Sequence, residues 1–187
     1  MGWILAAVAV GGAGYALLSA LLVGRFMREE PNVSPQTAAV TILKPLHQSE
    51  PDLLRNLETF FAQDYAGAVQ IVFGVHHESD PAVAVVEALQ AKYPASDTAI
   101  VANTALYGAN AKISNLINML PLAKHDTLVL SDSDIAVGRR WLNQVVCALA
   151  RPGVGIVTCL YTGEPARSGH KLWSSLSAMG TSYTGRP

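Results

Sequence analysis

The chain has 187 residues, of which 50% are hydrophobic and 14% charged, with 13 Lys and Arg against 14 Asp and Glu for a formal net charge of −1. So apolar a composition excludes a disordered tail, the length suffices to bury a core, and the balanced charge offers no basic face for a nucleic-acid backbone. Cys147 and Cys159 lie in apolar runs without CxxC spacing or a neighbouring His, which excludes a metal-thiolate site and reads as buried, reduced thiols.

From Trp3 to Val23 the chain carries no charge. A helix over those 21 residues is about 31 Å long, enough for a hydrocarbon core of about 30 Å. Only Met1 and Gly2 precede the run, so the basic region of a cleavable signal is missing and an uncleaved anchor over residues 1–24 is expected. Arg25 and Arg28 follow at once, which places the remainder in the cytoplasm as a single-pass protein. Residues 25–38, with two prolines and no periodicity, read as a linker.

Beyond it, residues 39–187 alternate between two patterns. Short β-branched runs bounded by Gly, Pro, Asp or Asn predict five strands, over 39–43, 69–75, 98–103, 127–131 and 154–161. Between them, Leu53, Leu57 and Phe60 follow a capping-box-like Ser49-Glu50-Pro51-Asp52. Val83, Val86 and Leu89 follow Asp80-Pro81; Ile113, Leu116, Ile117 and Leu120 run up to Pro121; Trp141, Leu142, Val145 and Val146 precede Pro152-Gly153. The pattern predicts an α/β domain with a mostly parallel sheet and helices on both faces.

Ligands of such sheets bind at the carboxyl ends of the strands, where strand order reverses. The polar clusters sit there: Lys44-Pro45-Leu46-His47, His76 to Asp80, and Asp132-Ser133-Asp134. Asp132 and Asp134, at i and i+2 after an apolar strand, share one side in extended chain while Ser133 points away. Two convergent carboxylates suit Mg²⁺ or Mn²⁺ completed by a diphosphate, and equally suit a strand-end turn with a helix cap. Asp80 before Pro81 is an ordinary N-cap that is compatible with a ligand role as well. Adjacent His76 and His77 point to opposite faces, so joint metal ligation is disfavoured. Gly108 to Lys112 opens a helix, where backbone N–H groups and the lysine offer a diphosphate seat, or simply a solvated lysine.

Together the Thr41-Ile42-Leu43-Lys44-Pro45-Leu46 string, Asn56 to Tyr65, Asp80-Pro81-Ala82, the Gly108/Lys112/Asn115-Leu116 spacing and Ser131 to Ile135 resemble the ceramide glucosyltransferase family, glycosyltransferase family 21. Within it, the bacterial hopanoid-biosynthesis enzymes are the most similar branch. The resemblance implies a Rossmann-like GT-A fold after the transmembrane helix, a UDP-sugar donor, a divalent metal, a lipid acceptor, inversion at the anomeric carbon and a bacterial inner-membrane location. By motif, Asp80 lies at the nucleotide, Asp132 and Asp134 hold ribose and metal-diphosphate, and Lys112 neighbours the diphosphate. A third aspartate and a (Q/R)xxRW motif, which supply base and acceptor wall in that pattern, are missing: Val137 stands where Gln or Arg is required before Arg139-Arg140-Trp141, and Glu164 is the one carboxylate side chain after Asp134. The domain therefore reads as partial, its donor half retained, and inactive alone. The competing readings are a membrane-anchored nucleotide-sugar binder without catalysis and a haloacid-dehalogenase-type phosphatase, whose DxDx(T/V) motif meets Ala136 here.

Overall fold

The structure is a computed structural model that describes residues 2–28, 34–48, 50–165, 174, 175 and 178. The chain forms two units, Met1–Val33 and Ser34–Pro187. The first is helix α1, Gly2–Arg28, of which Gly2–Arg25 is long and apolar enough to cross a membrane. Its large side chains are exposed all round, including Trp3, Val8, Tyr15 and Leu21. The helix runs four residues past the predicted anchor end at 24, since nothing in Arg25 to Arg28 breaks a helix; residues 29–33 of the predicted linker lie outside the described residues.

The second unit is built on strands β1 (Val40–Pro45), β2 (Val69–Val75), β3 (Asp97–Ala102) and β4 (Thr127–Leu130), all parallel in the order β3-β2-β1-β4. Helices α2 (Leu53–Phe61), α3 (Pro81–Lys92), α4 (Ala111–Met119) and α5 (Trp141–Leu149) connect or flank them. Residues before β1 are not a free linker throughout, because Gln36 N–H donates to Asn143 Oδ1 at 2.7 Å. Alternation along the strands sorts the core into two layers. Val40, Ile42, Ile71 and Phe73 pack against α2, α3 and α5, and Leu43 and Val72 pack against Met119 of α4. Helices on both faces are thus as predicted.

Three local expectations fail, each for a physical reason. Val154 to Tyr161 forms no strand: it finds no pairing partner, and β propensity without a ladder does not hold an extended chain. Ile156, Leu160 and Cys159 are consequently exposed, so Cys159 is not the buried thiol expected, while Cys147 is half-buried. At the start of α2, Asp52 is the N-cap in left-handed backbone (φ 60°) and its side chain makes no capping bond; Ser49 lies outside the described residues. Asp52, which would close the box from the third helical position, instead stands at the N-cap itself.

The third is α4, where Leu116 packs partly buried against Leu43 and Val72 but the other predicted inward apolar positions face outward. Ile113, Ile117 and Leu120 are exposed, and the buried face is Ser114, Asn115, Asn118 and Met119. Asparagines lie inside because backbone carbonyls at the sheet's carboxyl end receive them: Asn115 Nδ2 donates to Gly74 O (2.8 Å) and Asn118 Nδ2 to Ala105 O (3.1 Å). Gly74 leaves room for this seat. A Cβ there would stand 2.4 Å from both Asn115 Oδ1 and Met119 Sδ.

Candidate functional site

The chain lays down β1, β2 and β3 outward in one direction and then crosses back to put β4 on the other side of β1. The carboxyl ends of β1 and β4 therefore flank the point where strand order reverses, the usual crevice of an open α/β sheet. Lys44 is the penultimate residue of β1, and Ser131 to Asp134 leave β4.

Ser131 N–H extends the ladder to Leu43 O (3.2 Å), and Ile135 N–H then donates to Asp132 O (3.3 Å), closing a turn. Along this turn burial alternates. Ser131 and Ser133 are buried, while Asp132 and Asp134 are exposed; a turn replaces the extended chain that the i, i+2 spacing assumes, and both carboxylates reach solvent from it. The serines are held from within the domain: Lys44 Nζ donates to Ser131 Oγ (3.3 Å) and to Asp132 O, and Ser133 Oγ donates to Glu50 Oε2 (2.7 Å). Lys112, in the first turn of α4, pairs with Asp132 Oδ1, so the predicted neighbour of the diphosphate reaches the predicted ligand rather than free solvent. Asp134 has no ion-pair partner among the described residues.

Asp80 is the N-cap of α3. Its Oδ1 accepts from Ala82 N–H (2.9 Å) and its Oδ2 from Gln48 N–H (3.1 Å). The loop from Leu46 to Asp52 thus ties to Asp80 through Gln48 and to the aspartate turn through Glu50. His76 Nε2 meets Ala111 O at 3.1 Å and His47 is exposed, so His76 steadies the start of α4. Trp141 opens α5 and packs edge-on against Phe60 at 5.5 Å, which makes the Arg139-Arg140-Trp141 segment part of the scaffold. Glu164 pairs with Arg55 at 3.4 Å on the exposed surface.

Lys44, which the sequence places in a strand-end polar cluster without a role, and Glu50, which it does not single out, both touch the turn. Lys44 is fully buried with its Nζ 3.9 Å from the centre of the Phe60 ring. Burial pulls its ammonium down from 10.5 to about 7, against the opposing fields of Asp132, Asp134 and Glu50. Between those two values the unfolded chain binds more protons than the folded one, so stability rises with pH from about 7 toward 10.5. Thermal melts of the detergent-solubilised chain should climb over this interval, and the climb should vanish in Lys44→Met. A rise of equal size in the variant would assign it to other groups.

The turn fits a divalent cation of the Mg²⁺ or Mn²⁺ kind. Its open side offers two carboxylates, and no group of three or more His, Cys, Asp or Glu side chains gathers among the described residues. A partial oxygen shell of this kind is what a cation needs when phosphate oxygens and water supply the rest.

The fold agrees with known proteins. It is similar to the mannosyltransferase PcManGT from Pyrobaculum calidifontis, solved in complex with GDP-Man and Mn²⁺, at a TM-score of 0.56 and 25% identity over 86% of this chain and 47% of that one. The architecture is that of a GT-A-like glycosyltransferase. The chain belongs to glycosyl transferase family 21, whose family model matches residues 2–184. It is 36% identical over 123 residues to a ceramide glucosyltransferase of Komagataella phaffii, covering 64% of this chain and 24% of that protein. A Candida albicans ceramide glucosyltransferase is 32% identical over 121 residues, covering 59% and 22%. The chain thus spans about a quarter of the length of these relatives.

Proposed function

We propose that this chain supplies the donor-binding part of a membrane-bound glycosyltransferase that moves a hexose or N-acetylhexosamine from a UDP-sugar to a lipid alcohol of the ceramide or hopanoid type, with inversion and with Mg²⁺ or Mn²⁺. The observation that carries this reading is the pair of exposed carboxylates, Asp132 and Asp134, at the strand-order reversal, with Lys112 already on Asp132. Asp134 and Asp132 hold the metal, Asp132 also meets the ribose, and Asp80 lies at the nucleotide. Lys112 passes from Asp132 to the diphosphate, which releases the Asp132 carboxylate, while the N–H groups at the start of α4 face the same anion. When bound, the metal neutralises the charge that develops on the leaving diphosphate oxygen. The names of the relatives support a lipid acceptor, and the GDP-Man and Mn²⁺ of the mannosyltransferase support a nucleotide-sugar and a divalent cation.

An inverting displacement also needs a base for the acceptor hydroxyl, worth about 10²–10⁴-fold in rate. The residues assembled at this edge serve the donor, and Glu164 is engaged by Arg55. Labelled-sugar transfer from UDP-sugar to ceramide or hopanoid alcohol, in membranes containing this chain alone, should therefore stay at background. Metal-dependent product that Asp134→Asn abolishes would instead assign the base to Glu164 or to a substrate group.

We further place α1 across a bacterial inner membrane with Arg25 onward in the cytoplasm, on the strength of its uncharged run and basic flank. Reporters fused after residue 30 should be active only in their cytoplasmic form; activity confined to a periplasmic reporter would reverse the orientation.

A further inference from the structure

The turn that presents the two aspartates is held from beneath by a residue 87 positions earlier in the chain, Lys44. Desolvating an ammonium costs several kcal/mol, and here the offsets are two hydrogen bonds, one aromatic face and the fields of nearby carboxylates. An apolar side chain of the same length would fill the space without that penalty. What the ammonium adds is its two donated bonds, and both go to the turn. One acceptor, Asp132 O, is also the carbonyl that closes the turn to Ile135 N–H, so the two donors together fix the peptide between the carboxylates. With Glu50 on Ser133 and Lys112 on Asp132, each residue from Ser131 to Ser133 is anchored, and Asp134 follows with no ion-pair partner among the described residues.

We propose that Lys44 is a positioning residue of the donor site, acting through Ser131 Oγ and Asp132 O to set where the Asp132 and Asp134 carboxylates stand. This rests on the reading of that pair as the metal-diphosphate seat. Partners that orient metal ligands typically contribute 10–100-fold in affinity.

The test is a double-mutant cycle on the full chain in detergent, with UDP affinity read by calorimetry at a fixed millimolar Mn²⁺. Lys44→Met should weaken UDP by about 10-fold. In an Asp134→Asn background the same substitution should cost distinctly less, about 3-fold, because one of the two carboxylates being positioned is gone and Asp132 remains; a merely structural lysine gives the same loss in both backgrounds. An unchanged affinity in Lys44→Met, or equal losses in the two backgrounds, overturns the proposal. If Asp134→Asn alone has no effect, the donor-site reading falls and takes the proposal with it; if it acts while Lys44→Met does not, the role of Lys44 alone falls. Should Lys44→Met fail to fold, Ser131→Ala decides. Removing one acceptor should weaken UDP by about 3-fold, and no change counts against the role.

Discussion

Asp134→Asn should abolish the dependence of UDP binding on Mn²⁺. Without metal, a diphosphate at the mouth of β1 and β4 meets the exposed carboxylates of Asp132 and Asp134. Like charges about 5 Å apart at an effective dielectric near 20 repel by about 3 kcal/mol, or roughly 100-fold in affinity. A cation between them turns that repulsion into a bridge, so the wild-type chain should bind UDP on the order of 100-fold more tightly with Mn²⁺ than without. The asparagine removes one ligand and one repelling charge together. Metal-free binding should then strengthen, bound-metal affinity should fall, and their ratio should approach one. A ratio unchanged from wild type would return the two aspartates to a turn and cap role. GDP in place of UDP reports nucleotide choice, since the structurally similar mannosyltransferase carries GDP-Man.

Gly74→Ala should strongly destabilise the domain. Its Cβ would meet Asn115 Oδ1 and Met119 Sδ at 2.4 Å on a central strand, which forces α4 off its seat. Overpacking of this kind costs about 1–3 kcal/mol, and displacing the Asn115 amide from Gly74 O adds about 1 kcal/mol. For a domain of this size the melting temperature should fall by roughly 5–15 °C. Gly155→Ala, where an added Cβ meets nothing within 4 Å, should leave it near wild type. The effect extends to function, because Lys112 stands in the first turn of the same helix. Equal melting temperatures for the two variants would mean that α4 does not rest on β2 as described.

The alternation of strands and helices was legible in the sequence because β-branched runs and helical periodicity are local signals. β2 spans the predicted residues, and the other three observed strands lie within two residues of theirs. Asp80-Pro81 was legible for the same reason, since an N-cap needs only its next few residues. The failures are non-local. Val154 to Tyr161 has strand composition, but pairing depends on what lies beside it. Periodicity put Ile113, Leu116, Ile117 and Leu120 inside; Leu116 packs partly buried, whereas carbonyl acceptors at Gly74, Asn103 and Ala105 select Asn115 and Asn118 in place of the others.

The site divides along the same line. Asp132 and Asp134 were legible as a pair leaving an apolar strand, although they stand on a turn rather than in extended chain, and Lys112 was legible as the lysine at a helix start. Lys44 and Glu50 reach Ser131 and Ser133 across 87 and 83 residues, a relation that no spacing rule contains. A lysine following the buried run Val40 to Leu43 is the signal that was available: a buried strand carries an ammonium near its end only where something at the sheet edge receives it.

The central claim, that a divalent cation and a nucleoside diphosphate meet at the carboxyl ends of β1 and β4, is tested most directly by paramagnetic broadening. Mn²⁺ titrated into the isotopically labelled chain in detergent, with UDP present, should broaden the amide resonances of residues 131–135 and 110–112 first, and much less so when UDP is omitted. Broadening centred elsewhere in the domain, or the same with and without UDP, would contradict the account.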